Sequence, residues 1–270
     1  MSDNFALITL PPKSPPMTSF PVYFQLGPAA VSAHFVFELL AFFLGYRYFV
    51  FLRRRQADPI TDTNRLWVLV GAAAGALIGS RVLGALENPA LFLEAPNVFL
   101  YVFSSKTIVG GLLGGLIGVE YTKKIIGEKQ SSGDLFTYPL MLAMMIGRVG
   151  CFSSGLAEPT YGTPSDLPWA IDLGDGIPRH PAPLYEIAFL GLLWLILLAA
   201  ERKKPLRSGM RFQLFMVGYL LYRFGLEYLK PGFFWPFGLS SIQLACLGGL
   251  FYYRKTLLTL FTRPKLLANG

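Results

Sequence analysis

The sequence predicts an all-α, polytopic integral membrane protein of seven transmembrane helices, with the N-terminus outside and the C-terminus in the cytoplasm. Three observations carry that prediction. Hydrophobic residues make up 53% of the 270-residue chain and its mean hydropathy is +0.47, outside the range of ordinary soluble domains. Apolar runs of about 20 residues, enough to cross a bilayer as helices, recur at 29–51, 66–85, 107–126, 135–152, 183–200, 211–229 and 238–257. At the ends of these runs or just beyond them, 16 of the 24 Lys and Arg residues gather in four places, and alternation puts all four on one side.

The elements follow in chain order. The stretch before Phe20 has Lys13 as its one cation and lacks the apolar core of a cleaved signal peptide. Its Pro and Ser residues at 11–19 read as an extended entry segment. The first run closes on Arg53, Arg54 and Arg55, which places that end in the cytoplasm. Lys123 and Lys124, then Arg202, Lys203 and Lys204, then Arg254 and Lys255 fall on the same side. The opposite side receives the N-terminus, residues 86–106 and residues 153–182, all poor in Lys and Arg. Residues 86–106 mix aromatics, Pro and Asn, and read as interfacial. Residues 153–182 are long for a connection between spans, so they read as functional or locally folded. Gly71, Gly75 and Gly79 are four apart, as are Gly110, Gly114 and Gly118; that interval lets helix backbones approach closely in lipid. Gly110 and Gly111 can also turn backbone N–H groups toward a ligand. The whole of 1–270 reads as a single membrane domain.

Composition excludes several classes. The net charge of +8 would suit nucleic acid, but the cations flank apolar runs, which makes them topology signals and anionic-lipid contacts. No basic face with interleaved aromatics stands apart from the membrane segments, so no nucleic acid is expected. Two cysteines, Cys151 and Cys246, and two histidines give neither a disulfide framework nor metal-ligand spacing.

Charges inside the apolar runs point to a site. Arg47, Arg81, Arg148 and Arg223, with Glu38, Glu186 and Glu227, lie in or at the edge of spanning segments. Each costs roughly 2.5–3.5 kcal/mol at bilayer depth on insertion scales, so such residues face a polar cavity or a partner. Together they argue for an anion-handling site within the membrane.

Three motifs carry the chemistry. Gly147-Arg148-Val149-Gly150-Cys151-Phe152 closes the fourth run; guanidinium is a planar, permanently charged fork that matches phosphate bidentately. Its competing reading is an arginine snorkelling to the interface. Arg179-His180-Pro181-Ala182-Pro183-Leu184-Tyr185-Glu186 opens the fifth. Pro183 suits a first helical turn, so Tyr185 and Glu186 fall near the outer interface, where Glu186 either caps the helix or pairs with an arginine. His180 there is a proton shuttle or an interfacial hydrogen bonder. Tyr222-Arg223-Phe224-Gly225-Leu226-Glu227 puts Arg223 and Glu227 four apart on one helix face. In the first run, His34 and Glu38 are likewise one turn apart and can relay protons or hold a structural network.

These residues, in this order, resemble the bacterial prolipoprotein diacylglyceryl transferase family. The resemblance runs through Gly27-Pro28, Gly79-Ser80-Arg81, Gly110-Gly111 and Gly147 to Gly150. It continues through Asp166-Leu167-Pro168-Trp169, Arg179-His180-Pro181 with Leu184-Tyr185-Glu186, Arg223 with Glu227, and Ser240 to Gln243. It implies an enzyme of the bacterial cytoplasmic membrane that binds phosphatidylglycerol in a cavity open to lipid toward the outer leaflet. That enzyme passes the diacylglyceryl group to a cysteine thiol of a lipoprotein precursor and releases glycerol phosphate, with no metal or organic cofactor. Arg148 and Arg223 would hold the phosphate, Glu186 and Glu227 would orient them, and His180 would join the catalytic set. Arg81, Gly110, Gly111, Gly147, Gly150, Cys151, Tyr185, His34 and Glu38 would line the substrate site.

The chain also departs from the family pattern. Val109 stands where the family has a histidine before the glycine pair. Cys151, Ser154 and Leu156 replace two asparagines and an acidic residue, with Glu158 two positions further on, and His34 takes the place of a tyrosine. Two readings follow. Either His34 or His180 takes over proton handling and the reaction is kept, or the chain is a paralogue with another acceptor. Cys151 beside Arg148 is then a covalent participant or a small pocket-lining residue. A non-enzymatic lipid-binding or transport protein is the reading from a different class.

Overall fold

A computed structural model describes residues 20–56 and 58–262. The stretch before Phe20, read as an extended entry segment without a cleaved signal peptide, and the end of the basic tail with Arg263 and Lys265, lie outside the described residues. The helices are α1 (Ala33–Arg55), α2 (Asp62–Ala85), α3 (Pro89–Glu94), α4 (Val98–Ser104), α5 (Ile108–Ile126), α6 (Asp134–Ser153), α7 (Ala182–Lys203), α8 (Met210–Leu226), α9 (Ser241–Tyr252) and α10 (Arg254–Thr262). Four of them, α1, α2, α6 and α7, are long and apolar enough to cross a membrane. The pair α4 and α5, bent by 91°, makes a fifth if taken as one span. Large apolar side chains stand on their outer faces, Phe42 being 72% exposed, as a lipid-facing surface requires.

Two short antiparallel pairs interrupt the expected all-α pattern: β1 (Tyr23–Leu26) with β2 (Ala29–Ser32), and β3 (Ile171–Asp172) with β4 (Pro178–Arg179). The first moves the start of α1 from the expected residue 29 to Ala33. Its turn is Gly27-Pro28, and Gly27 has φ 64°, a left-handed value that only glycine adopts at little cost. Helix caps shorten the last two apolar runs. α8 tightens into a 3-10 turn at Glu227–Leu229. α9 begins only after Ser240, whose side chain and that of Gln243 form a reciprocal capping box.

The chain divides into two compact units. One contains 20–52, 138–195 and 229–231 of the described residues; the other contains 53–56, 58–137, 196–228 and 232–262. The division falls inside α1, α6 and α7.

In the first unit, the β1–β2 hairpin is fastened to the end of α6. Val22 N–H donates to the Ser153 carbonyl at 2.9 Å, and the Phe20 and Phe152 rings meet edge-on at 5.4 Å. α1 and α6 approach closely at Gly45, where an added Cβ would lie 3.1 Å from Ala143 Cβ and 3.4 Å from the Pro139 carbonyl oxygen. Trp194 of α7 stacks on Tyr48 of α1 and packs against Tyr138 of α6, at 6.0 and 4.9 Å between ring centres.

In the second unit, α2 and α5 are held by their glycines. Cβ atoms at Gly71, Gly75 and Gly79 would run into the backbone at Gly118, Gly114 and Gly110 respectively. As the first set rises the second falls, so the helices are antiparallel and in register. Near the start of α2, Asp58 lies between two arginines. It accepts from Arg65 in a two-pronged pair and from Arg53 Nε at 2.8 Å. Arg65 also donates to the Ser132 carbonyl at 3.1 Å. Burial alone would raise the Asp58 carboxyl, but hydrogen bonds from Arg65, the Ile60 N–H and Arg53 outweigh it and hold the group below the usual carboxylate range.

Candidate functional site

The polar groups of the first unit converge at the C-terminal end of α6. Arg148, in the last turns of α6, and Glu186, in the first turns of α7, form an ion pair with Nη2 and Oε2 2.8 Å apart. They are 8% and 1% exposed. The carboxylate is therefore a partner for arginine, the second of the two readings for Glu186. Arg148 Nη1 also reaches Cys151 Sγ at 3.6 Å, since residues three apart share a helix face. Gly147 has nothing within 4 Å of where a Cβ would stand, so space is open beside the arginine. Gly150 does the opposite: an added Cβ would lie 3.1 Å from Phe37 Cβ and 3.2 Å from the His34 carbonyl oxygen. Gly150 thus lets α1 approach α6 and brings His34 beside the Cys151 thiol.

His34 Nε2 lies 3.9 Å from Glu38 Oε2 and 3.9 Å from Glu158 Oε1. The thiol also faces a small hollow lined by Phe152, Thr160, Tyr161, His180 and Pro183. Thr160 Oγ1 is buried there and has no hydrogen-bond partner among the described residues.

The long segment between α6 and α7 folds around this hollow. The Gly162 N–H donates to the His180 carbonyl, the His180 N–H to Thr163, and the Ser165 N–H to Pro178, each at 3.0 Å. A Cβ at Gly162 would clash with His180, so glycine is needed for that pairing. The tip is closed by Asp172, which accepts from the N–H groups of Gly174, Asp175 and Gly176. Arg179 bonds Asp175 at 2.6 Å, and that hydrogen bond draws the Asp175 carboxyl below its ordinary value. His180 Nδ1 lies 3.1 Å from Tyr185 Oη, which accepts from Trp169 Nε1 at 2.7 Å. Trp169, Tyr185 and His180 thereby tie the segment to the start of α7.

The second unit holds the other expected pair. Arg223 Nη2 and Glu227 Oε2 are 2.9 Å apart, and the residues are 4% and 3% exposed. Gln243 of α9 donates to the Phe224 carbonyl at 3.0 Å beside them. Arg81 donates to the Ser105 carbonyl at 3.1 Å and lies 5.1 Å from the centre of the Phe103 ring, at the α4–α5 bend. The Gly110 and Gly111 N–H groups do not face a ligand, as the sequence allowed. They donate to Oγ1 and O of Thr107, each at 3.0 Å, and Gly110 packs on Gly79. Helix capping and close packing use both glycines.

Residues 21–255 match the model of the prolipoprotein diacylglyceryl transferase family. The chain belongs to that family. It is 31% identical over 225 residues to the phosphatidylglycerol–prolipoprotein diacylglyceryl transferase of Bordetella parapertussis, covering 78% of this chain and 82% of that protein. The enzyme of the same name from Photobacterium profundum is 32% identical over 222 residues, with 78% and 80% covered. That of Vibrio atlanticus is 32% identical over 244 residues, with 85% and 82% covered.

Within this prolipoprotein diacylglyceryl transferase fold the departures have definite places. Val109 is 1% exposed at the start of α5, an apolar packing residue with no proton to exchange. Ser154 Oγ donates to the Gly150 carbonyl at 3.3 Å. Glu158, two positions beyond the replaced acidic residue, comes within 3.9 Å of His34, a contact the sequence did not indicate. The parts of the hollow from Thr160 and Tyr161 had no sequence signal, because both lie in an irregular segment without periodicity.

Proposed function

We propose that this protein transfers the diacylglyceryl group of phosphatidylglycerol to the lipobox cysteine thiol of a prolipoprotein, releasing glycerol phosphate. Membership of the family, with relatives of that name on both measures of coverage, supports the reaction. The buried Arg148–Glu186 pair beside the Cys151 hollow is the structural observation that carries it. A buried ion pair is often no more stable than well-packed apolar residues would be, so retaining one at this depth points to function. When glycerol phosphate leaves, negative charge develops on its bridging oxygen. A guanidinium already fixed by a carboxylate stabilises that charge without reorganising. Arg148 and Arg223 are taken as the phosphate-binding cations, with Glu186 and Glu227 as their orienting partners. Arg81, Tyr185, Cys151, His34, Glu38 and the glycines at 147 and 150 are taken as the surrounding substrate site.

The same reading takes the chain as one membrane domain of the bacterial inner membrane. It has seven spans, the N-terminus outside, the C-terminus cytoplasmic, and lipid access toward the outer leaflet. Basic clusters on one side support that orientation.

Purified protein, labelled phosphatidylglycerol and a lipobox peptide test the proposal. Labelled peptide together with glycerol phosphate is the expected result. Glycerol phosphate without labelled peptide would establish a different acceptor, a reading favoured by Val109 in place of the family histidine. Lipid binding without turnover would make the chain a lipid-binding protein. A large gain of peptide labelling in Val109→His would show that the missing histidine had altered the parent activity.

A further inference from the structure

Thiol alkylation needs a group to take the thiol proton, and the proposed transfer leaves that group unassigned. Val109 is apolar and packed. His180 is committed elsewhere: its Nδ1 lies 3.1 Å from Tyr185 Oη, which also accepts from Trp169 Nε1, a donor only. That arrangement uses His180 to hold the long segment on α7. His34 has different surroundings. On its own helix Glu38 faces Nε2, and from the segment after α6 Glu158 faces the same nitrogen, each at 3.9 Å. From α6 it meets the Cys151 thiol, and through that thiol Arg148. Both carboxylate distances exceed a hydrogen bond, so they surround the nitrogen with negative charge without fixing its proton.

We infer that His34 is the catalytic base that deprotonates the acceptor thiol, with Glu158 and Glu38 as the residues that position it and stabilise its protonated form. This rests on the proposed transferase reaction. The thiol proton passes to His34 Nε2, and the sulfur attacks the diacylglyceryl carbon bonded to the phosphate oxygen. The S–C bond forms as the C–O bond breaks, and its electron pair leaves on glycerol phosphate toward arginine. The imidazolium then returns its proton to solvent or to the departing phosphate. An unperturbed imidazole titrates near pH 6.5 and a thiol near 8.5, a closer match than any carboxylate at about 4, and a base nearest the working pH is the most effective. The pairing also explains why Cys151, close to a guanidinium and an imidazole, lies at this position: a small side chain there leaves the imidazole room beside Arg148.

The rate of peptide labelling is followed against pH for the wild type and for His34→Gln, Glu158→Gln and His180→Gln, each first checked for thermal unfolding in detergent. The wild type should show a rate that rises with pH through the imidazole range. His34→Gln should lose at least about a hundredfold in kcat, with little change in KM for the lipid, and should lose that rising limb. Glu158→Gln should keep the limb displaced toward lower pH, because one carboxylate fewer faces the imidazolium, which a purely structural role would not do. His180→Gln should keep it in place. A rising limb intact in His34→Gln, or lost in His180→Gln, overturns the assignment while leaving the transferase reading untouched. Absence of turnover in the wild type would remove both.

Discussion

Two arginine–glutamate pairs of the same chemistry are built in opposite ways. Arg223 and Glu227 sit one turn apart at the end of α8, so the helix itself sets their distance. Arg148 and Glu186 come from different helices, 38 positions apart in sequence, and meet only because α6 ends where α7 begins. The first pair is a local consequence of helical geometry. The second is a tertiary contact that holds two helix ends in one place. A local pair can be disrupted without moving its helix, whereas breaking the other releases an end of the bundle as well as an arginine.

That contrast orders the expected outcomes. Arg148→Ala should lower glycerol phosphate release about 10²–10³-fold, as loss of one preorganised charge-stabilising donor does. Near-normal turnover would refute its role. Arg148→Lys should recover little, since ammonium lacks the planar fork. Arg223→Ala should be comparably damaging, and a double variant no slower than the worse single one would show that both serve the same phosphate. Next, Glu186→Gln leaves a buried guanidinium without its counter-charge and should cost about 3–5 kcal/mol, read as a lower Tm in detergent. Glu227→Gln strips the equally buried Arg223 of its counter-charge and should lower Tm by an amount in the same range while impairing turnover; a further loss in Glu186→Gln is expected because that pair also joins two helices.

Smaller effects come from outside the site. Asp58→Asn should cost about 1.5–3 kcal/mol through lost charged hydrogen bonds, with turnover retained below the new Tm. Its folded-state carboxyl lies below the unfolded value. The stabilisation is therefore complete above the unfolded value and is lost as pH falls through the folded one. Thermal unfolding followed downward from neutral pH should show an acid-dependent loss that Asp58→Asn lacks. Trp169→Phe removes only the donor to Tyr185 and should cost about 0.5–1.5 kcal/mol, the smallest change of the series.

The same contrast explains what was legible in the sequence. Hydropathy located the long helices, because burial in lipid imposes a continuous apolar run. Spacing located Arg223 with Glu227 and the glycines of α2 and α5, because helical periodicity is local. Glu186 was recognised as capping or pairing, but its partner was not, since nothing in a linear pattern measures the distance between helix ends. The Tyr23–Ser32 hairpin straddles the start of the 29–51 apolar run, and its second strand was read as helix because its residues suit strand and helix alike. At the 91° bend between α4 and α5, Thr107 caps α5 by accepting from the Gly110 N–H, and its own N–H donates to Ser80 of α2. The signal for that bend was one threonine at the end of the short polar run Ser104-Ser105-Lys106-Thr107. The His34–Glu158 approach depends on Gly150 allowing α1 close to α6, a steric condition no motif expresses.

The glycine register between α2 and α5 has a mechanical consequence. With main chains touching at three successive turns, no acyl tail can thread that seam, and neither helix can slide without its neighbour. The two behave as one broad stave, rigid against thinning of the surrounding bilayer. Any gap through which a phospholipid slips sideways must open along some other line.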